Sequence, residues 1–262
     1  MKNLLLLFIL SLSQICNSQK SDEMAESLNK KSKQIFETGD VERALPILKQ
    51  AAEKGSAEAQ YNLGYCYQSG IGVAINKTEA VKWFLKSANQ GYTDGLYQMM
   101  MAYGNGDGVK QDTKKAFSYA LKCAENGDST CMFNIIGCYK SGMGTDKDIN
   151  KMLEWAIKLG KLENPDDLAK SGYITSARLE LAYLYRNGVD VPKDYIQSYQ
   201  WFLIYNEFKR DFSVIQQDQI IKEIKEVEAQ LSEKEKKEAK TLAEQVLNRP
   251  LMNIENLYKA DF

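Results

Sequence analysis

The sequence predicts an all-α fold: an α/α superhelical solenoid of helix-turn-helix repeats with a C-terminal capping helix pair. Three observations carry this prediction. The middle of the chain repeats itself every 36 residues, the mark of a stacked-repeat architecture. Each copy sets a glycine-rich loop between two stretches of helix-forming residues. Only 4 of 262 residues are proline, so little interrupts a helix.

The N-terminus reads as a signal peptide spanning residues 1–18. Lys2 gives the positive start, and the run from Leu4 to Leu12 is apolar but shorter than a membrane span. Cleavage after Ser18 would start the mature chain at Gln19. The alternatives are a short anchor or a lipid on Cys16; the bulky Ile15 ahead of that cysteine argues against the lipid. No later segment is apolar enough to span a bilayer, so the mature chain is expected not to insert into a membrane. The expected location is secreted or periplasmic.

Residues 19–56 hold a first, shorter unit. It keeps Ala44, Ala52 and Gly55 in register around a tight loop at Thr38, Gly39 and Asp40. Four longer units fill residues 57–210. Tyr67, Tyr103, Tyr139 and Tyr185 share one column, and Gly70, Gly106, Gly142 and Gly188 share the next. Gly72, Gly108 and Gly144 form a third column, where the fourth unit has Asp190. Asn76, Asp112, Asp148 and Asp194 stand where a side chain can cap the following helix. Trp83, Tyr119, Trp155 and Trp201 align within that helix. Ten extra residues precede the fourth unit, around Asn164, Pro165, Asp166 and Asp167, and are expected to project from an edge of the stack. Residues 211–250 place Ile220, Ile221, Ile224, Val227 and Leu231 among Lys and Glu, an amphipathic helix pair suited to closing the open end. Residues 251–262, the tail, give no pattern.

These columns resemble the Sel-one-like repeat (SLR) family, a relative of the tetratricopeptide repeats. The family pattern is matched nearly whole by Ala59 to Gly91, and the resemblance runs from about Ser32 to Asn206. The first unit is similar to a tetratricopeptide unit. Two columns depart from the pattern: Met100 and Ile136 replace the small residue at Gly64, and Met152 and Ser198 replace Ala80. The segment from Leu231 is similar to the closing helix of the family.

Composition and motifs exclude several functions. Net charge is −1 with no basic cluster, which argues against nucleic acid as a partner. The absence of histidine removes the usual hydrolytic triads and His-based zinc sites. The glycine loops lack the strand, third glycine and Lys-Ser/Thr of a phosphate loop. Ser27 with Lys30, Lys140-Ser141-Gly142 and Lys170-Ser171-Gly172 echo penicillin-binding motifs, but those need an α/β scaffold. The chain is expected to be no enzyme, with no cofactor and no metal.

Exported chains permit disulfides. Cys123 and Cys131 flank the turn at Gly127, a feasible bridging distance. The bridge is similar to those of cysteine-rich relatives of the family, shifted by one position. Cys66 and Cys138 share a column two units apart, roughly 20 Å when helices pack 8–10 Å apart, too far to bond.

The resemblance implies that the first helix of each unit lines a concave face. That would put Tyr61, Tyr97, Phe133 and Leu179 on one row, Tyr65, Met101 and Tyr183 a turn further, and Arg186 beyond them. Aromatic and arginine side chains are common anchors of binding sites. The same row could equally pack against its neighbours. The expected function is an exported scaffold or adaptor that engages a peptide or protein partner on this face. The alternatives are an immunity protein that neutralises a toxic effector and, on fold analogy alone, a cell-wall or β-lactam-acting enzyme.

Overall fold

A computed structural model describes residues 22–208 and 214–259, and all regular structure among them is helical. The signal peptide and the cleavage site lie outside the described residues. No described helix is long and apolar enough to cross a membrane. The chain forms two compact units, Met1–Asn126 and Gly127–Phe262.

The first unit holds α1 (22–37), α2 (Val41–Glu53), α3 (Ala57–Ser69), α4 (Lys77–Asn89), α5 (Thr93–Asn105) and α6 (Thr113–Glu125). Consecutive helices from α2 to α6 pack on one another. Side-chain amides tie successive turns together. Gln90 donates to the carbonyl of Gly55 at 2.9 Å and to Gln60 at 2.8 Å. Asn126 donates to the carbonyl of Gly91 at 2.8 Å and to Thr93 at 3.1 Å.

The second unit holds α7 (Ser129–Ser141), α8 (Ile149–Gly160), α9 (Leu168–Asn187), α10 (Tyr195–Glu207), α11 (Val214–Glu228) and α12 (Glu233–Leu247). Both α11 and α12 pack on α10, as closing helices should. Ser232 and Glu235 form a capping box at the start of α12.

One loop design recurs in all four long repeats. Gly70, Gly106, Gly142 and Gly188 end the first helix with φ between +69° and +78°, the left-handed turn that glycine adopts without strain. The chain then returns so that the N–H of Asn76, Asp112, Asp148 and Asp194 donates to the carbonyl of the column tyrosine at 2.8–2.9 Å. The side chains of those same four residues accept from the second helix at 3.0 Å. Asp190 takes the left-handed conformation with φ +65° in place of a glycine, a state that Asp tolerates better than most residues, and it pairs with Lys147 at 3.6 Å.

The departures from the repeat pattern balance one another. A Cβ on Gly64 would sit 2.6 Å from the Phe84 ring, so that column must be small where its neighbour is Phe. Where Met100 and Ile136 replace the glycine, Ala120 and Ala156 replace the phenylalanine. The fourth repeat returns to a small residue with an aromatic, Ala182 with Phe202. All of these bulky side chains are buried, so each pair fills its layer to a similar volume.

The ten extra residues do not simply project. Part of them lengthens α9 to 20 residues against 13 for α3. Arg178, fully buried, pins the remaining loop. Its guanidinium donates to the carbonyl of Gly160 at 2.9 Å, to Asn164 at 2.6 Å and to the carbonyl of Leu162. Its charge lies 4.0 Å over the Phe208 ring. Asn164 also reaches Ser171 at 2.8 Å and Thr175 at 3.1 Å, while Pro165, Asp166 and Asp167 are exposed.

The tail is anchored as far as residue 259. The Glu207 carboxylate accepts from Arg249 at 2.6 Å and from the N–H groups of Met252 and Asn253 at 2.9 and 3.0 Å. The side-chain amides of Asn206 and Asn253 each donate to the other's backbone carbonyl, at 2.7 and 3.0 Å, and Leu257 is buried.

Cys123 and Cys131 are both disulfide-bonded, and Cys66 and Cys138 are free thiols. Peptide mapping without reduction is expected to recover Cys123 linked to Cys131, with the other two alkylated once the chain is denatured. Reduction is then expected to remove about 2–3 kcal/mol, the loop-closure value for so short a loop. A Cys66–Cys138 link, or four free thiols, would contradict this.

Candidate functional site

The first unit carries an open groove of about 420 Å³. Its walls come from α1, α3 and the start of α5, the first helices of their repeats, and its floor is apolar, formed by Phe36, Leu48, Cys66 and Ile71. Leu48 and Cys66 belong to the core of α2 and α3, so the floor is continuous with the packed interior.

Charge fixes α1 to α3. Lys33 donates to one Glu58 oxygen at 2.6 Å and Asn29 to the other at 2.7 Å. Glu58 stands in the first turn of α3, where the helix dipole favours an anion. The Lys33 ammonium is raised above its ordinary pKa, chiefly by the hydrogen bond to Glu58.

Aromatic rings line the groove. Tyr61 and Tyr65 are one turn apart on α3, and Tyr92 stands at the N-terminal boundary of α5. The Tyr61 ring lies 5.8 Å from Tyr92 and 6.0 Å from Phe84, so it is part wall and part packing. Tyr65 is 45% exposed and presents its ring to whatever enters. Burial, and after it the nearby Asp94 carboxylate, raise the Tyr61 and Tyr92 phenols above the ordinary tyrosine value. Burial likewise raises the Cys66 thiol in the floor, away from thiolate reactivity.

Of the eight residues expected on the concave face, only Tyr61 and Tyr65 line this groove. Tyr97 is half-buried on α5, and Met101 is exposed beside a small crevice with Gln68 and Gln98. In the second unit, Phe133 is half-buried and stacks on Tyr173 at 4.9 Å. Leu179 is buried, so it is a core residue and not a contact residue. Tyr183 meets Phe202 edge-on at 5.7 Å, and its phenol is raised by burial and then by Glu223. Arg186 is already paired, with Glu226 at 2.6 Å and Glu223 at 3.4 Å. Helix α11 stands beside α9 and supplies the carboxylates that a partner would otherwise bring. Sequence reasoning missed the α1 wall and Tyr92. The one available signal for Tyr92 was a bulky aromatic where α3 and α7 have Ser56 and Asp128 as caps.

The motifs that echo penicillin-binding enzymes are dispersed over helices. Ser27 and Lys30 lie on α1 in the first unit. In the second unit, the Ser141 hydroxyl bonds back to the Gly137 carbonyl at 2.7 Å, Lys170 pairs with Asp128 at 3.2 Å, and Ser171 is buried.

Helix pairs that repeat one glycine-loop design define a helical-repeat protein. The Sel1 repeat matches residues 57–92, 95–128 and 175–204. The chain thus carries three Sel1 repeats. The repeat beginning at Cys131 lies outside these matches; it alone carries both Ile136 and Met152 at the two small columns.

No curated protein matches the chain. Among solved structures, a Sel1 repeat protein from Oxalobacter formigenes is 22% identical over 74% of this chain and 72% of that one, with a TM-score of 0.58. A protective antigen of uropathogenic Escherichia coli displaying an SLR fold is 25% identical, with a TM-score of 0.60. It is matched over 90% of this chain, which spans 46% of the antigen. An immunity protein of Pseudomonas aeruginosa is 17% identical over 91% of this chain and 87% of that one, with a TM-score of 0.38, too distant in shape to bear on function. Sel1-repeat proteins generally mediate protein–protein interaction and are typically non-catalytic scaffolds.

Proposed function

We propose that the chain is an exported scaffold or adaptor that holds a peptide or protein partner in the groove of its first unit. The observation that carries this reading is Tyr65. An aromatic ring on a regular helix, beside an apolar floor, remains 45% exposed. Exposed aromatic area next to a formed cavity is characteristic of interaction anchors. Export is supported by the apolar N-terminal run and by the disulfide-bonded cysteines. A role in neutralising a toxic effector is a special case of the same reading, decided by the partner's identity.

A photo-crosslinking residue at position 65 is expected to capture a partner from the producing cell, while one at the exposed loop residue Met143 does not. Equal capture at both, or none at 65, would count against the groove. Tyr65→Ala is expected to weaken partner binding by about 1–2 kcal/mol with the melting temperature unchanged. Tyr61→Ala is expected to lower stability as well, by about 1–3 kcal/mol, because its ring also packs on Phe84 and Tyr92.

A further inference from the structure

We propose that this groove selects a basic partner segment, seating a lysine or arginine side chain against its tyrosine rings and beside the carboxylates of Glu37 and Asp94. The inference rests on the reading of the groove as the partner site and specifies what that site recognises.

Four charged side chains line the groove: Lys33, Glu37, Glu58 and Asp94. Lys33 and Glu58 cancel one another at 2.6 Å, and Asn29 occupies the second Glu58 oxygen. Glu37 and Asp94 have no ion-pair partner among the described residues, and Tyr92 donates its hydroxyl to Asp94. Three carboxylates against one ammonium leave the lining of the groove with a net charge of −2, Lys33 being attracted to Glu37 as well as to Glu58, whereas the whole chain has a net charge of only −1. The negative excess is a property of this place and not of the surface at large.

The rings reinforce the preference. The faces of Tyr61, Tyr65 and Tyr92 carry negative quadrupole charge and attract organic cations, arginine above lysine because its planar head can stack. The three rings offer their π faces to a cation beside the carboxylates. An acidic segment would meet two carboxylates with no cation free to compensate, and a purely apolar one would leave them without a partner. Both carboxylates are exposed, so their attraction works through partial screening and should weaken with salt.

The test uses the full mature chain and displayed random heptapeptides, followed by fluorescence anisotropy on one enriched peptide. Enriched peptides are expected to be rich in Lys and Arg. Replacing the central basic residue by Gln should weaken binding about fivefold or more. The double variant Glu37→Gln, Asp94→Asn should weaken the basic peptide to a similar degree and flatten its salt dependence, with an unchanged thermal melt. Enrichment of neutral or acidic peptides whose binding is lost in Tyr65→Ala would overturn the cation preference while leaving the groove as the binding site. Basic peptides indifferent to the double variant and to Tyr65→Ala would place the preference elsewhere and overturn the proposal, as would no enrichment at all.

Discussion

Arg178→Ala is expected to lower the stability of the second unit by about 3–5 kcal/mol, from the acceptors left without their donor and from the packing of the side chain that is lost. The change removes the donors that the guanidinium supplies to the carbonyls of Gly160 and Leu162 and to the side-chain oxygen of Asn164, the first bond buried and the other two part-buried. Each unpaired buried acceptor costs about 1–3 kcal/mol. The stacking surface over Phe208 is lost as well. Arg178→Lys should recover less than half of the loss, because an ammonium on a flexible stem cannot meet three diverging acceptors as the fork does. Urea unfolding followed by tryptophan fluorescence reads this directly, since Trp155 and Trp201 are buried in the same unit. A loss below about 1 kcal/mol, the range of an ordinary exposed ion pair, would show that the loop holds without the arginine.

Gly108→Ala is expected to cost about 2–4 kcal/mol, combining about 1–2 for a left-handed alanine with about 1–3 for forcing packed atoms apart. Gly108 has φ +72°, and a Cβ there would collide with the Lys77 carbonyl and lie 3.1 Å from the Thr78 nitrogen. Backbone on the receiving side cannot rotate away as a side chain can. Gly91→Ala is the control. Gly91 has φ +79° but nothing within 4 Å of the added carbon, so only the conformational cost of about 1–2 kcal/mol remains. Equal losses for the two would mean that the approach of the Gly108 loop to α4 is not tight.

Much of the fold was legible because the repeat supplies several readings of the same position. The tyrosine, glycine and Asx columns each recur four times, and their spacing encodes a loop whose hydrogen bonds are local. The capping helices were legible from their apolar period. The site was legible only where it lies on a repeat: Tyr61 and Tyr65 fall in columns, while the α1 wall does not. Helix α1 is held by Lys33 and Asn29 reaching Glu58, 25 and 29 residues away, a contact that no periodicity announces. The surroundings of Leu179 and Arg186 were not legible for a related reason. A column treats all copies as equivalent, yet the last repeat faces α11 and begins with an extended helix. The tail left no trace because Glu207 holds its backbone N–H groups, which every sequence possesses.

The reciprocal volumes of the helix pairs decide what can be exchanged along such a chain. Grafting α5 alone in place of α3 would set Met100 against Phe84, where even one added carbon meets the ring at 2.6 Å. Grafting α3 alone in place of α5 would set Gly64 against Ala120 and leave a void. A whole pair carries its own complement, so recombination at the turns, and not within the glycine loops, conserves packing. Drift inside a pair has to proceed by two matched steps with a less stable intermediate between them. The heritable module of this architecture is thus the helix pair as a unit, which lets such chains grow or reorder by whole pairs far more readily than they repack within one.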